Sequence, residues 1–127
     1  MKLTCGIPCF NQAQYLPDAI ESVLDQTVKC EIIVVNDGST DNTLEVASKY
    51  PVKVINQVNK GLSAARNTAI MNSTGDIFLP LDADDILKEH AVERILDTFE
   101  KTGVDVVAPS FKCFGISNDV VILQSNI

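Results

Sequence analysis

Apolar and polar positions follow two rhythms along this chain. Lys2 to Ile7 is a short, mostly apolar run that reads as a first strand, ended by Pro8. From Tyr15 to Gln26 the period lengthens, and Leu16, Ala19, Ile20, Val23 and Leu24 fall on one face of a helix. Glu31 to Val35 is β-branched and apolar, the pattern of a strand covered on both faces. Asn36-Asp37-Gly38-Ser39-Thr40-Asp41 then offers turn and capping chemistry, and a second helix runs to about Tyr50, where Pro51 ends it. Val52 to Asn56 reads as a third strand and Leu62 to about Asn72 as a third helix. Gly75 punctuates before a strand at Ile77 to Leu79. Val92, Ile95, Leu96 and Phe99 mark a fourth helix stopped by Gly103. Val104 to Ala108 predicts a fifth strand, and Phe111 to Phe114 and Val120 to Leu123 are further strand candidates.

Strands alternating with helices predict an α/β fold with a mostly parallel sheet and helices on both faces. The 127 residues suit one domain spanning 1–127, and 46% apolar content is enough to build a core. No internal repeat or interior linker is evident. The sequence stops at Ile127 without a closing helix, so the sheet is expected to be incomplete at its C-terminus. A strand such as Val120 to Leu123 would then present an unpaired edge, which predicts a homodimer or larger self-association.

Charge and cysteine usage narrow the function classes. A formal net charge of −7 disfavours a nucleic-acid binder, which needs a basic footprint. Lys29, Lys49, Lys53, Lys60 and Arg66 are scattered, so no polybasic membrane patch forms. Cys5, Cys9, Cys30 and Cys113 make no CxxC pair, and His90 is the single histidine, so a zinc site is not expected. Cys9 precedes a candidate site residue, but packing is its expected role, and His90 reads as a surface residue. The cysteine pattern suits a reducing compartment and hence a cytoplasmic location. No signal peptide or membrane-length apolar run is visible.

The chemistry gathers at Leu79-Pro80-Leu81-Asp82-Ala83-Asp84-Asp85, where a strand stops and carboxylates begin. Hard oxygen ligands suit Mg²⁺ or Mn²⁺, ions that commonly arrive with phosphates. The plainer alternative is that Asp84 or Asp85 caps the next helix. In an open α/β sheet, ligands bind beyond the carboxyl ends of the strands. Three further segments follow strands and should converge there: Pro8-Cys9-Phe10-Asn11, Asn36-Asp37-Gly38-Ser39, and Asn59-Lys60-Gly61 running into the helix of Arg66 and Asn67.

Those four segments, in that order, resemble the N-terminal half of family 2 glycosyltransferases, inverting enzymes of GT-A fold. Typical members carry a Pro-x-Tyr/Phe-Asn run, an Asp-Asp/Asn-Gly-Ser-like turn, an Asn-x-Gly…Ala-Arg-Asn segment and an Asp-x-Asp motif. The resemblance implies a GT-A-like domain that binds a nucleotide sugar through Pro8, Phe10, Asn11, Asp37, Gly38, Ser39, Lys60, Gly61, Arg66, Asp82 and Ala83, with Asp84 on Mn²⁺ or Mg²⁺. Phe10 would lie near the base, where an aromatic face can stack, or else be a core phenylalanine. Asp37 would accept a base N–H, typically of uracil, or form an Asx-turn before Gly38. Arg66 would reach base or phosphates, or be a solvated helix charge. Asp82 would sit near ribose and donor sugar, and Asp85 would cap the following helix.

The implied reaction moves a sugar from a nucleotide-diphosphate sugar, typically a UDP-sugar, to a carbohydrate or lipid-linked acceptor with inversion. Inversion needs a general base. Glu89, Glu93, Asp97 and Glu100 read as a solvated helix face, Asp105 begins a strand, and Asp119 sits in a turn, so no catalytic base is nominated. Two other classes stand beside this one. A non-catalytic nucleotide-binding module fits the missing base. A sugar nucleotidyltransferase wants a glycine-rich basic loop, which Gly6 to Gln14 does not supply.

Overall fold

The protein is described by a computed structural model in which residues 1–108, 111–112 and 120–121 are defined. Four parallel strands form the main sheet: β1 (Leu3–Cys9), β2 (Glu31–Asp37), β3 (Lys53–Gln57) and β4 (Ile77–Pro80), in the order β3-β2-β1-β4. The connecting helices are α1 (Leu16–Leu24), α2 (Thr43–Ala47), α3 (Leu62–Asn72) and α4 (Ala91–Thr102). The α/β class with a parallel sheet flanked by helices is therefore what the hydrophobic pattern predicted.

The alternation of side chains along β1 and β2 divides the core in two. Cys5 and Ile7 of β1, with Ile32 and Val34 of β2, join Leu16, Ile20 and Val23 of α1 and Val92 and Ile95 of α4. The opposite face takes Ile33 and Val35 against Ala65 and Ala69 of α3. Each large aliphatic side chain so buried contributes about 1.5–3 kcal/mol, so the shared faces of β1 and β2 dominate the stability. Alanines on α3 let that helix lie close to the sheet. Gly6 serves the same layer, because an added Cβ would run into the Phe78 ring and come within 2.9 Å of Ala69 Cβ.

At the amino ends of the strands, Glu31 closes the sheet. Its carboxylate accepts the Thr74 N–H at 2.8 Å, the Thr74 hydroxyl at 2.8 Å and the Thr4 hydroxyl at 2.9 Å. The Thr74 N–H is the main cause that lowers its pKa to about 2, against a smaller opposing effect of burial.

Several expectations need correction. The first strand does not end at Pro8 but runs through Cys9, with Pro8 opposite Val35. The Gly6 carbonyl accepts the Leu81 N–H on the β4 side, so Pro8, two residues on, faces that side beyond the end of β4. Its missing N–H therefore costs no ladder bond. The second helix is shorter than predicted, and Lys49 and Tyr50 instead close tight turns onto Val46 and Ala47 carbonyls. Residues 104–108 form no strand. Their apolar run pairs with nothing among the described residues, and Val106 stands exposed. Asp105 consequently starts no strand. Short strands β5 (Phe111–Lys112) and β6 (Val120–Val121) pair antiparallel as a separate two-stranded sheet, in which each strand has a partner on one side. The rest of the two C-terminal strand candidates, with Cys113 and Asp119, lies outside the described residues. The fourth helix stops at Gly103 in left-handed conformation, as predicted. No helix among the described residues is long and apolar enough to cross a membrane.

Candidate functional site

The chain leaves β1 toward β2 and β3 on one side and reaches β4 on the other, so the sheet order reverses at β1. Such a reversal opens a crevice at the carboxyl ends of the strands. A cleft of about 450 Å³ lies there. Of the residues predicted for the site, Pro8, Phe10, Asp37, Gly61, Asp82 and Asp84 line it. Asn11, Gly38, Ser39, Lys60, Arg66 and Ala83 do not.

Asp37 is the anchor of the cleft floor. It ends β2, on the face that carries Val35 against α3, and is 3% exposed. Its Oδ1 accepts the Lys60 N–H and the Gln57 side-chain amide, each at 2.9 Å, and its Oδ2 accepts the Gly61 N–H at 3.0 Å. Burial pushes its pKa up, but these three donors outweigh it and hold the carboxyl below its ordinary value. The N-terminal end of α3 adds a favourable dipole. Gly61 precedes that helix at φ +94, a left-handed conformation that a side chain would strain. Gly38 has φ +74, and a Cβ there would meet the Asn59 nitrogen at 2.6 Å.

Asp37 does not make the Asx-turn expected of it, and the side-chain bond to this turn comes from its neighbour. The Ser39 N–H donates to Asn36 Oδ1 at 3.2 Å, leaving the Asp37 side chain to the β3–α3 loop. Asn11 and Ser39 likewise serve the walls. Asn11 adopts φ +52, and its Oδ1 accepts the Thr40 N–H at 2.8 Å, while its own N–H donates to Ser39 Oγ at 3.1 Å. Asp41 completes the clasp by accepting the Ala13 N–H at 3.1 Å. Two cleft-forming loops are thereby stitched together. Lys60 contributes its backbone N–H to Asp37.

Phe10 is 49% exposed, so it is no core residue. Its ring stands free at the cleft wall. Arg66 is not a solvated helix charge either. Its Nη2 lies 2.9 Å from Asp82 Oδ1, with both side chains about two-fifths exposed, and its buried Nε has no partner.

Asp82, Asp84 and Asp85 each bring a carboxylate oxygen within 4.8 Å of the others. Ala83, fully buried between them, fixes the turn, and the Asp85 N–H closes onto the Asp82 carbonyl at 3.0 Å. Burial first, then the charges of Asp84 and Asp82, raise the Asp85 pKa. An all-oxygen donor set whose members repel one another fits a hard divalent cation. Asp85 does not cap α4 as expected. That helix starts at Ala91 after His90, and the Val92 N–H goes to the Gln26 side chain. His90 is exposed, 3.3 Å from Glu93.

Sequence reasoning missed Gln12, Asn59, Leu62 and Ala65, and gave Cys9 only a packing role, yet all five line the cleft. Asn59 opens the Asn59-Lys60-Gly61 segment, and its side-chain amide donates to the Asp37 carbonyl at 3.1 Å. Cys9 is buried against Thr43, and burial pushes its thiol pKa up.

The switch-point cleft thus has a buried carboxylate on one side and an acidic turn on the other. The model for Glycosyl transferase family 2 matches residues 4–127, and the chain belongs to that family. An uncharacterised glycosyltransferase of Nostoc sp. is 40% identical over 111 residues, 82% of this chain and 34% of that protein. Chondroitin synthase of Escherichia coli is 40% identical over 101 residues, 75% of this chain but 15% of that protein. Among solved structures, S. aureus TarS 1-349 in complex with UDP-GlcNAc superposes with a TM-score of 0.86 at 26% identity, over 97% of this chain and 37% of that one. The chain thus spans about a third or less of the length of these relatives.

Proposed function

We infer that residues 1–127 form one donor-binding domain that holds a UDP-sugar in the switch-point cleft for metal-dependent, inverting transfer to an acceptor hydroxyl. The observation that carries this reading is the pairing, across one cleft, of the buried Asp37 carboxylate with the Asp82–Asp84–Asp85 turn. The similarity to TarS, solved with UDP-GlcNAc, supports the choice of nucleotide.

In this reading the exposed Phe10 ring stacks on the base. Asp37 Oδ2, which accepts a single protein donor, takes a base N–H. Pro8 and Gly61 shape the base pocket, and Asn11, Gly38, Ser39 and Lys60 hold its loops. Asp82 faces ribose and sugar while Arg66 fixes its carboxylate. Asp84, with Asp85 beside it, would hold Mn²⁺ or Mg²⁺, which supplies neutralisation of the charge that develops on the departing diphosphate.

Titration of UDP into the protein with and without Mn²⁺, beside an Asp84→Ala variant, tests this. Metal-dependent binding lost in the variant is the expected result, and no binding under any condition refutes it. A second reading, a nucleotide-binding module without transfer activity, is favoured by one observation. Among the described residues, the carboxylates lining the cleft are Asp37, Asp82 and Asp84, all of them assigned to the donor. Hydrolysis of a UDP-sugar by the protein would count against that module.

A further inference from the structure

We propose that Gln26, assisted by Ser22, is a positioning residue that holds the acidic turn of Asp82, Asp84 and Asp85 ready for its cation. This rests on the metal-assisted donor reading above.

Residues 81–90 contain no helix or strand. At its start this segment is tied to the sheet by the Leu81 N–H on the Gly6 carbonyl. Its far end is tied to α1 by two side chains. Gln26, just past the end of α1 and 8% exposed, donates its amide N–H groups to the Ser22 carbonyl at 3.0 Å and the Lys88 carbonyl at 2.8 Å. Its Oε1 accepts the Val92 N–H at 3.0 Å. Ser22 Oγ accepts the Leu87 N–H at 3.0 Å and donates to the Ala19 carbonyl at 2.7 Å.

Gln26 donates twice and accepts once, a combination that its carboxamide supplies and that neither a single hydroxyl nor an ionised carboxylate can. A buried, fully satisfied amide is costly to disturb and therefore rigid. Rigidity matters at this place. Three carboxylates packed within 4.8 Å repel one another, and an untethered loop would relax by spreading them apart. Pinning Leu87, Lys88 and Val92 to α1, with Leu81 pinned to β1, keeps the intervening turn short and the oxygens together. Groups hydrogen-bonded directly to metal ligands change metal affinity by about 10- to 100-fold. Gln26 and Ser22 act one step further out, on the backbone at Leu87, Lys88 and Val92, so the lower end is expected.

The test combines two measurements on wild type, Gln26→Ala, Gln26→Glu and the milder Ser22→Ala. Amide hydrogen exchange without ligand reads the tether. Leu87 and Val92 should exchange faster in the variants, while Lys60 and Gly61 on the far side of the cleft stay protected. The Mn²⁺ concentration that half-saturates UDP binding reads the consequence. It should rise about tenfold in Gln26→Ala and recover its full UDP affinity at excess Mn²⁺. Gln26→Glu should match it, since a carboxylate would face two carbonyls. Faster exchange with an unchanged Mn²⁺ midpoint overturns the proposal, as does a UDP affinity that excess Mn²⁺ fails to restore. Unchanged exchange at Leu87 and Val92 overturns the tether itself. Wild type that binds UDP without regard to Mn²⁺ overturns the metal reading and removes the proposal with it.

Discussion

Replacing Asp37 with Asn isolates the contribution of one negative charge to the cleft. Asn can present its oxygen where Oδ1 now accepts from Lys60 and Gln57. Its NH₂ then falls where Oδ2 accepts the Gly61 N–H, so two donors face each other at a site only 3% exposed. One charge-assisted bond, worth about 1.5–3 kcal/mol, is lost, and the stranded Gly61 N–H adds to the cost. The expected destabilisation is about 2–3 kcal/mol, near the lower sum because the loop can shift slightly. With about 2.1 cal/mol/K of unfolding entropy per residue, that lowers Tm by roughly 8–11 °C. Urea unfolding near neutral pH supplies the free energy directly. The sign of the pH dependence follows from the depressed pKa. The stability Asp37 provides is complete above the ordinary carboxylate range and fades as pH falls through the lower folded value. Asp37→Asn should therefore lose most at neutral pH and approach wild type in acid. A loss below about 0.5 kcal/mol at pH 7 would refute the reasoning, because the Lys60 and Gly61 amides could not then depend on the carboxylate.

Glu31 gives a second acid-sensitive element. Its pKa is lowered to about 2, so its contribution is full above the ordinary glutamate range and disappears as pH falls toward 2. Partial exposure reduces that contribution to about 1–2 kcal/mol, and Glu31→Gln should flatten the fall in urea midpoint between pH 5 and 2. Gly6→Ala should cost about 1–3 kcal/mol by overpacking against Phe78 and Ala69, and Phe78→Leu in the same chain should recover part of it in thermal melts. Asp84→Ala should lower the Asp85 pKa in an NMR titration, since Asp84 is the first charge that raises it after burial; an unchanged Asp85 titration would contradict the crowding of the turn.

What the sequence reveals here depends on whether a residue's neighbours are set by period or by topology. β2 and α1 are legible because their spacing alone states which positions are buried, and the structure buries Ile33 and Ile20 accordingly. Residues 104–108 show the opposite case. Their apolar run has strand character, but a strand exists only with a ladder partner, and nothing in those five residues specifies one. The acidic turn was legible by composition, since three carboxylates in four residues need a cation or a cap. The division of roles between Asn36, which bonds the Ser39 N–H, and Asp37, which bonds the start of α3, was not. Both residues suit an Asx-turn, yet adjacent residues of a strand face opposite sides of the sheet. Val35 faces α3, so Asp37 does too, and there it meets the start of that helix. Knowing which face α3 covers would have decided between them. Gln26 shows the limit most sharply. In the sequence it is the last polar residue of an amphipathic helix, where a solvated side chain is the ordinary expectation. It becomes a buried clasp only because α4 starts beside the end of α1, an arrangement fixed by contacts more than sixty residues apart in the chain. Local pattern names the atoms that can do chemistry, while long-range packing decides which of them are free to do it.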